Sequence, residues 1–221
     1  MLAVLYDIHG NLPALEGVLA EAEAVGAERY LLGGDYGTPS PWPHETLARL
    51  RELRNATWIR GNGERWLREP PLDRPEVMEF YDVFAGSLSD EDVEWLYELP
   101  PQAELDGVLY VHGSPLSDVE SFAPQPQDGE ERMLDGVRDR TVVFGHSHQQ
   151  FRRPGPDGTE LVNPGSVGMP LDGDVRAAWA TWDGDFELRR TAYDSERAAA
   201  AYEAIPGPGE FFAGRIRRGS D

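Results

Sequence analysis

Five apolar runs in this chain stop in the same way, at an acidic, amide or imidazole side chain set beside glycine. Met1 to Tyr6 runs into Asp7-Ile8-His9-Gly10-Asn11, Tyr30 to Leu32 into Gly33-Gly34-Asp35, and Thr57 to Ile59 into Gly61-Asn62. Val108 to Val111 runs into His112-Gly113, and Thr141 to Phe144 into Gly145-His146-Ser147-His148. Short runs of this kind read as strands buried on both faces. Between them lie residues at helical spacing. Pro13 can open a helix carrying Leu15, Val18, Leu19, Ala22 and Val25 on one face and closed by Gly26, and Thr46 to Leu53 reads as a second. Strand–helix–strand alternation predicts an α/β protein with a mainly parallel sheet. In such a sheet the loops that leave the strand C-termini share one edge, where ligands bind. Glycine beside each polar residue lets the backbone turn sharply and lets an ion or ligand come close.

The rest of the chain is less regular. Residues 70–100 read as two acidic helices, the second opening near Ser89 with Asp and Glu in its first turn. Pro115 to Gln127 reads as a polar surface loop close to the strand ends. After His148 the period shifts towards two, predicting antiparallel strands at Gln149 to Arg153, Glu160 to Asn163, Ala177 to Trp182 and Phe186 to Tyr193. Pro156-Asp157-Gly158 and Asp183-Gly184 supply turns. The tail from Ser195 is helical, with a break around Pro206-Gly207-Pro208. With no repeat and no linker, residues 1–221 are expected to form a single domain.

Four of the five histidines lie in the strand-end segments. One such histidine would be an ordinary hydrogen-bonded side chain, but four at converging strand ends point to metal binding. The chain has no cysteine, so a metal would be held by imidazole, carboxylate and amide groups, which favour borderline to hard ions. Asp7, His9, Asp35, Asn62, His112, His146 and His148 are the candidate ligands. Nothing resembles a nucleophile elbow, and the glycines are too scattered for a P-loop or a dinucleotide fingerprint. A net charge of -20, with every basic residue an arginine, opposes binding of long nucleic acid or anionic lipid. It also discourages anionic substrates unless a local positive charge overrides it. The first ten residues lack a basic region ahead of an apolar stretch, and no apolar run nears the roughly 20 residues of a membrane span. A cytoplasmic protein is expected, with a homo-oligomer left open.

The blocks D-x-H-G-N, G-D, G-N, H-G and G-H-x-H, in that order from Asp7 to His148, resemble the calcineurin-like metallophosphoesterase family. Asn163-Pro164-Gly165-Ser166-Val167-Gly168 is similar to the segment that follows the last ligands in small bacterial members. The resemblance implies a four-layer α/β/β/α sandwich of two facing sheets, with a two-metal site at one end. It implies that one ion takes Asp7, His9 and His148, that the other takes Asn62, His112 and His146, and that Asp35 bridges them. Two divalent ions against two aspartates would leave the pocket locally positive in an acidic protein. Ions about 3.5–4 Å apart can share a hydroxide nucleophile and clamp phosphoryl oxygens for in-line attack. By the same resemblance Asp35, Asn62 and His112 are catalytic, and Asn11 and Asn62 meet the substrate. Manganese is the first choice of metal, with Fe, Zn, Ni or Co also suited.

The sequence departs from the family at the third block, where Gly61-Asn62-Gly63-Glu64 lacks the histidine that usually follows the asparagine. General acid help is worth about 10²–10⁴ in rate, so its loss matters most for basic leaving groups. The expected activity is hydrolysis of small phosphodiesters, or of monoesters with good leaving groups. His44, in the loop after Asp35, is the spare imidazole that could act as the acid. Tyr36 is a hydrogen-bond donor or a packing residue. Tyr6 stands where serine is usual, and Leu171 where arginine often follows Met169-Pro170; Arg176 is structural or reaches the site. The alternative is a non-catalytic metal-binding scaffold or interaction protein on the same fold.

Overall fold

β1 (Leu2–Leu5) is fully buried because both of its faces are covered. Leu2, Val4 and Tyr6 point to one side, and Ala3 and Leu5 to the other. The computed structural model describes residues 1–74, 77–78, 83 and 86–221, and elements are numbered over these. β1 pairs in parallel with β2 (Arg29–Leu32), and β2 with β3 (Ala56–Trp58). On its other side β1 pairs antiparallel with β9 (Ala177–Trp182), which pairs with β10 (Phe186–Thr191). The first sheet is therefore β10-β9-β1-β2-β3. In the second sheet, β4-β5-β6-β8-β7, the strands β5 (Val108–Val111), β6 (Thr141–Val143) and β8 (Glu160–Asn163) run parallel. β4 (Gln102–Leu105) and β7 (Phe151–Pro154) are its antiparallel edges.

The strand–helix alternation alone predicts one mainly parallel sheet; the two facing mixed sheets are those that the family resemblance implies. The late strands form no sheet of their own: β9 and β10 extend the parallel trio of the first sheet, whereas β8 completes the parallel trio of the second and β7 pairs antiparallel at its edge. Leu2, Val4, Tyr6, Leu31 and Ile59 of the first sheet meet Val108, Tyr110, Val143 and Val162 of the second. The outer face of the first sheet is covered by α1 (Leu12–Ala24), α2 (Pro43–Arg51) and α4 (Asp90–Tyr97), which contribute Leu15, Val18, Leu47 and Leu96. Phe122, Met133 and Leu134, from a loop and the one-turn α5 (Glu130–Met133), cover Leu109, Val142, Phe144 and Leu161 on the far side. The result is an α/β/β/α stack whose last layer is thin.

Local signals explain most element ends. Ser89 caps α4 by accepting from Asp92 N at 3.1 Å, above three acidic residues in the first turn. The first acidic helix expected over 70–100 lies largely outside the described residues. β4 has no counterpart in the sequence reading because its Gln-Ala-Glu-Leu is an exposed edge. Its signal was Asp106-Gly107, with φ 53° and 82°, a two-residue hairpin turn into β5. The tail forms α6 (Ser195–Glu203) and α7 (Gly209–Arg218), packed together through Ala198, Tyr202, Phe212 and Ile216 and onto Met169. α3 (Asn62–Trp66) starts at a candidate ligand. Among the described residues no helix is long and apolar enough to cross a membrane.

Candidate metal centre

The strand ends of both sheets meet at one edge, and their loops are zipped together by backbone hydrogen bonds. His9 N donates to Asp35 O at 2.8 Å and Gly10 N to Tyr36 O at 2.7 Å, joining the loops after β1 and β2. Gly145 N donates to His112 O at 2.8 Å, and His146 N to Asp7 Oδ2 at 2.9 Å, which ties the second sheet to the first. A Cβ on Gly145 would lie 2.4 Å from that same oxygen, so only glycine lets the two sheets approach here. Asp7, His9, Asp35, His146 and His148 all have left-handed φ, between 45° and 65°. Asp and His are enriched several-fold in this region among non-glycine residues.

All seven candidate ligands come together. Asp7 Oδ1 lies 3.5 Å from His148 Nε2, 3.9 Å from His112 Nε2 and 4.0 Å from His9 Nε2. The Asp35 carboxylate spans the gap, with Oδ2 3.8 Å from His9 Nε2 and Oδ1 3.5 Å from His112 Nε2. Asn62 Oδ1 lies 3.0 Å from His112 Nε2 and 2.8 Å from His146 Nδ1. Two triplets, Asp7-His9-His148 and Asp7-Asp35-His112, each gather ligand atoms within 4.8 Å of one another.

The hydrogen bonds behind these atoms test whether a cation fits. Nδ1 of His9, His112 and His148 faces the carbonyl of Thr38 at 2.8 Å, Gly33 at 2.9 Å and Met169 at 2.7 Å. Each Nδ1 must therefore carry the proton, which turns the Nε2 lone pair inward when the ring is neutral. The Nε2 atoms of His9 and His148 then face each other across 3.0 Å, and His112 Nε2 faces the Asn62 oxygen. Asp7 Oδ1 is fully buried without a hydrogen-bond partner. Converging lone pairs and an unpaired buried carboxylate oxygen suit a divalent cation. Rotated by 180°, the Asn62 amide would donate to both rings and satisfy them without one.

Protons can stand in for that charge. Burial pulls His112 down, but the Asp35 and Asp7 carboxylates outweigh it and hold the ring up at about 8. His148 is likewise raised, with Asp7 overcoming burial. Burial and the neighbouring His112 bring His146 down to about 4; burial and His148 lower His9. Burial would raise Asp7, yet His148, His112 and His9 keep it well below the usual carboxylate range. Asp35 goes the other way, raised by burial and by Glu64 despite His112.

The sequence reading assigned no role to Glu64. It is 2% exposed. Its Oε2 accepts from Asp35 N and Gly61 N, and its Oε1 from Tyr36 N, each at 2.8 Å. One buried carboxylate thus fixes the loops that carry Asp35 and Asn62; the signal was an acid two residues after Asn62, at the third helical position. The Asn163–Gly168 segment does the same for Asp7. Ser166 Oγ donates to Asp7 O at 2.7 Å and Gly168 N to the same oxygen at 3.0 Å.

A cleft of about 230 Å³ opens onto His9, Asp35, Asn62, His146 and His148. Gly63 lines it, and its N–H donates to Asp35 Oδ1 at 2.7 Å. Trp66, Met169, Phe212 and Arg215, which the sequence reading did not single out for a cleft, also line it. Two expected site residues do not line the cleft among the described residues. Asn11 is fully buried, its Oδ1 accepting from Ala14 N at the start of α1 and its Nδ2 donating to Gly168 O and Tyr193 OH, so both amide hydrogens are taken. It is a helix cap and not a phosphate contact. His44 is exposed in the first turn of α2 and is not among the described residues lining the cleft, so the structure gives no support to its role as acid. Tyr36 is buried, with its hydroxyl 2.6 Å from both Leu32 O and Ile59 O. Arg176 is paired with Asp174 at the surface.

Residues 1–185 match the calcineurin-like phosphoesterase superfamily domain. An uncharacterized protein of Methanocaldococcus jannaschii is 28% identical over 239 aligned residues, which cover 93% of this chain and 91% of that one. The fold is shared with a metallophosphoesterase of Sphaerobacter thermophilus, at a TM-score of 0.80 and 23% identity over 99% of both chains. A hypothetical protein of Pyrococcus horikoshii gives the same TM-score, 0.80, and the same identity, 23%, over 100% of both chains.

Proposed function

We propose that this chain, which belongs to the calcineurin-like phosphoesterase superfamily, hydrolyses small phosphodiesters, or monoesters with good leaving groups, with the help of two divalent metal ions. The observation that carries this reading is the convergence of seven candidate ligand side chains at one sheet edge, where Asp7 Oδ1 is buried without a hydrogen-bond partner and imidazole Nε2 atoms of His9, His112 and His148 turn inward. Asp7, His9 and His148 would hold one ion, Asn62, His112 and His146 the other, and Asp35 would lie between. Bound divalent ions supply Lewis acidity and make water a nucleophile near neutral pH. The donor set of imidazole, carboxylate and amide suits manganese, and also Fe, Zn, Ni or Co.

The chain's own residues do the positioning. Backbone carbonyls at Thr38, Gly33 and Met169 fix the tautomer and aim of three imidazoles. Glu64 holds the Asp35 and Asn62 loops in register. At the leaving-group side, position 63 offers a backbone N–H already committed to Asp35 and no imidazole. A leaving group must then depart as a weak base, which favours activated diesters over monoesters of alkyl alcohols. The cleft, at about 230 Å³, lies below the roughly 300–1,000 Å³ of most ligand pockets and suits a small ester. With the -20 net charge, this favours a small phosphorylated molecule over long nucleic acid or an anionic membrane surface.

The test is hydrolysis of a paired panel, p-nitrophenyl phosphate and bis(p-nitrophenyl) phosphate, after reconstitution with each metal in turn. Preference for the diester is expected, with manganese the best activator. Strong monoester preference would defeat the reading of Gly63. Absence of turnover with every metal would replace the enzyme by a metal-binding scaffold.

A further inference from the structure

The family match ends at residue 185, and the chain goes on to add α6 and α7. This helical pair is part of the site. The Tyr202 hydroxyl donates to the His9 carbonyl at 2.5 Å. Phe212 packs in one cluster with Met169, whose carbonyl accepts from His148 Nδ1. Nearly one helical turn after Phe212, Arg215 reaches the same cleft. Among the described residues lining it, Arg215 is the only lysine or arginine. The imidazoles and acids are turned to the metal centre, and Trp66, Met169 and Phe212 form an apolar wall.

We infer that Arg215 binds the phosphate of the bound ester and sets the affinity for it, so that the helical pair outside the matched domain selects the substrate. The identity of the anion rests on the phosphoesterase reading above. Three observations favour it. The guanidinium lies over the Phe211 ring, 4.3 Å from its centroid, which holds its plane. Its Nε–H is buried without an acceptor. Its ion-pair partner is Asp221, whose side chain is 73% exposed against 24% for Arg215; a pair open on the carboxylate side is weak and exchanges for a phosphate oxygen. An arginine fork suits phosphate because two parallel N–H donors meet two oxygens. In a chain of net charge -20, an anionic ester gains most where that field is reversed.

The experiment uses full-length, metal-loaded protein. Inorganic phosphate is titrated by calorimetry, and bis(p-nitrophenyl) phosphate is the kinetic substrate. Arg215→Ala is expected to weaken phosphate binding and raise KM about tenfold each, with kcat changed less than about threefold, and Arg215→Lys to recover part of the loss. Unfolding temperatures of both variants should match the parent. Unchanged phosphate affinity and KM in Arg215→Ala would overturn the proposal. So would no phosphate binding by the parent, or an equal loss in Asp221→Asn, which would make Arg215 a partner of the chain end only. If the parent turns over no ester but its phosphate binding still depends on Arg215, the enzyme reading falls and the anion contact stands.

Discussion

Replacing Glu64 by glutamine changes one oxygen to an NH₂ group and removes one buried charge. The carboxylate accepts three backbone N–H groups at 2.8 Å, and a hydrogen bond to a charged group contributes about 1.5–3 kcal/mol against about 0.5–1.5 for a neutral one. If the amide oxygen takes the Oε2 position, the bonds from Asp35 and Gly61 survive as neutral bonds and weaken by about 1 kcal/mol each. Tyr36 N–H is left facing another donor while buried, which costs about 1–3 kcal/mol more. Relief is available because the Glu64 charge pushes Asp35 up, and the glutamine removes that repulsion. The net expectation is a loss of about 3 kcal/mol, or a melting temperature about 6–12 °C lower for a chain of this size. Glu64→Ala, which orphans all three donors, should lose more. Urea unfolding of the metal-free proteins measures both. A Glu64→Gln variant within about 1 kcal/mol of the parent, or an alanine variant no worse than the glutamine, would refute the claim that this carboxylate organises the two loops.

The remaining expectations concern titration, packing and His44. In the metal-free protein His112 is raised from about 6.5 to about 8, so its stabilisation, on the order of 2 kcal/mol, is complete below about pH 6.5 and lost as pH rises through 8. Unfolding at pH 6 and pH 9 checks the sign, and metal uptake should run the other way, strengthening by at least about tenfold per unit up to about pH 8 as the His112 proton is displaced, and more steeply where His148 also gives one up. Gly168→Ala would put a Cβ 1.8 Å from Ile8 O and is expected to lower stability by about 3 kcal/mol or to prevent folding, as read by circular dichroism. His44→Ala should leave the pH–rate profile unchanged, and a lost limb in that profile would restore His44 as the acid.

The candidate site was legible because each candidate ligand interrupts an apolar run, and strand ends at one edge are brought together by the fold itself. The strands were legible for the same reason: Val108–Val111 and Ala177–Trp182 are nearly continuous apolar runs. β4 was not, since Gln102 and Glu104 face solvent and an exposed edge carries little hydrophobic signal. Glu64 and Arg215 were missed on different grounds. A buried acid bonded only to backbone leaves no residue pattern in its partners, because any residue but proline supplies an N–H. Arg215 sits in Gly-Arg-Ile-Arg-Arg on an amphipathic helix, where arginines look alike until packing decides which one turns inward. Asn11 escapes a motif reading because a side chain two residues beyond a candidate ligand can be spent on capping the following helix.

The left-handed backbone at Asp7, His9, Asp35, His146 and His148 bears on how this chain could change over generations. At each position glycine would relax the main chain, by about 1 kcal/mol or more where a side chain is ill at ease there. Against that relief stand the hydrogen bonds that these buried side chains make, so at five sites the backbone pulls against the side chain, and each step towards glycine deletes a candidate ligand. The direct measurement is whether His9→Gly and His148→Gly, in the absence of metal, melt above the parent while taking up less metal than it does.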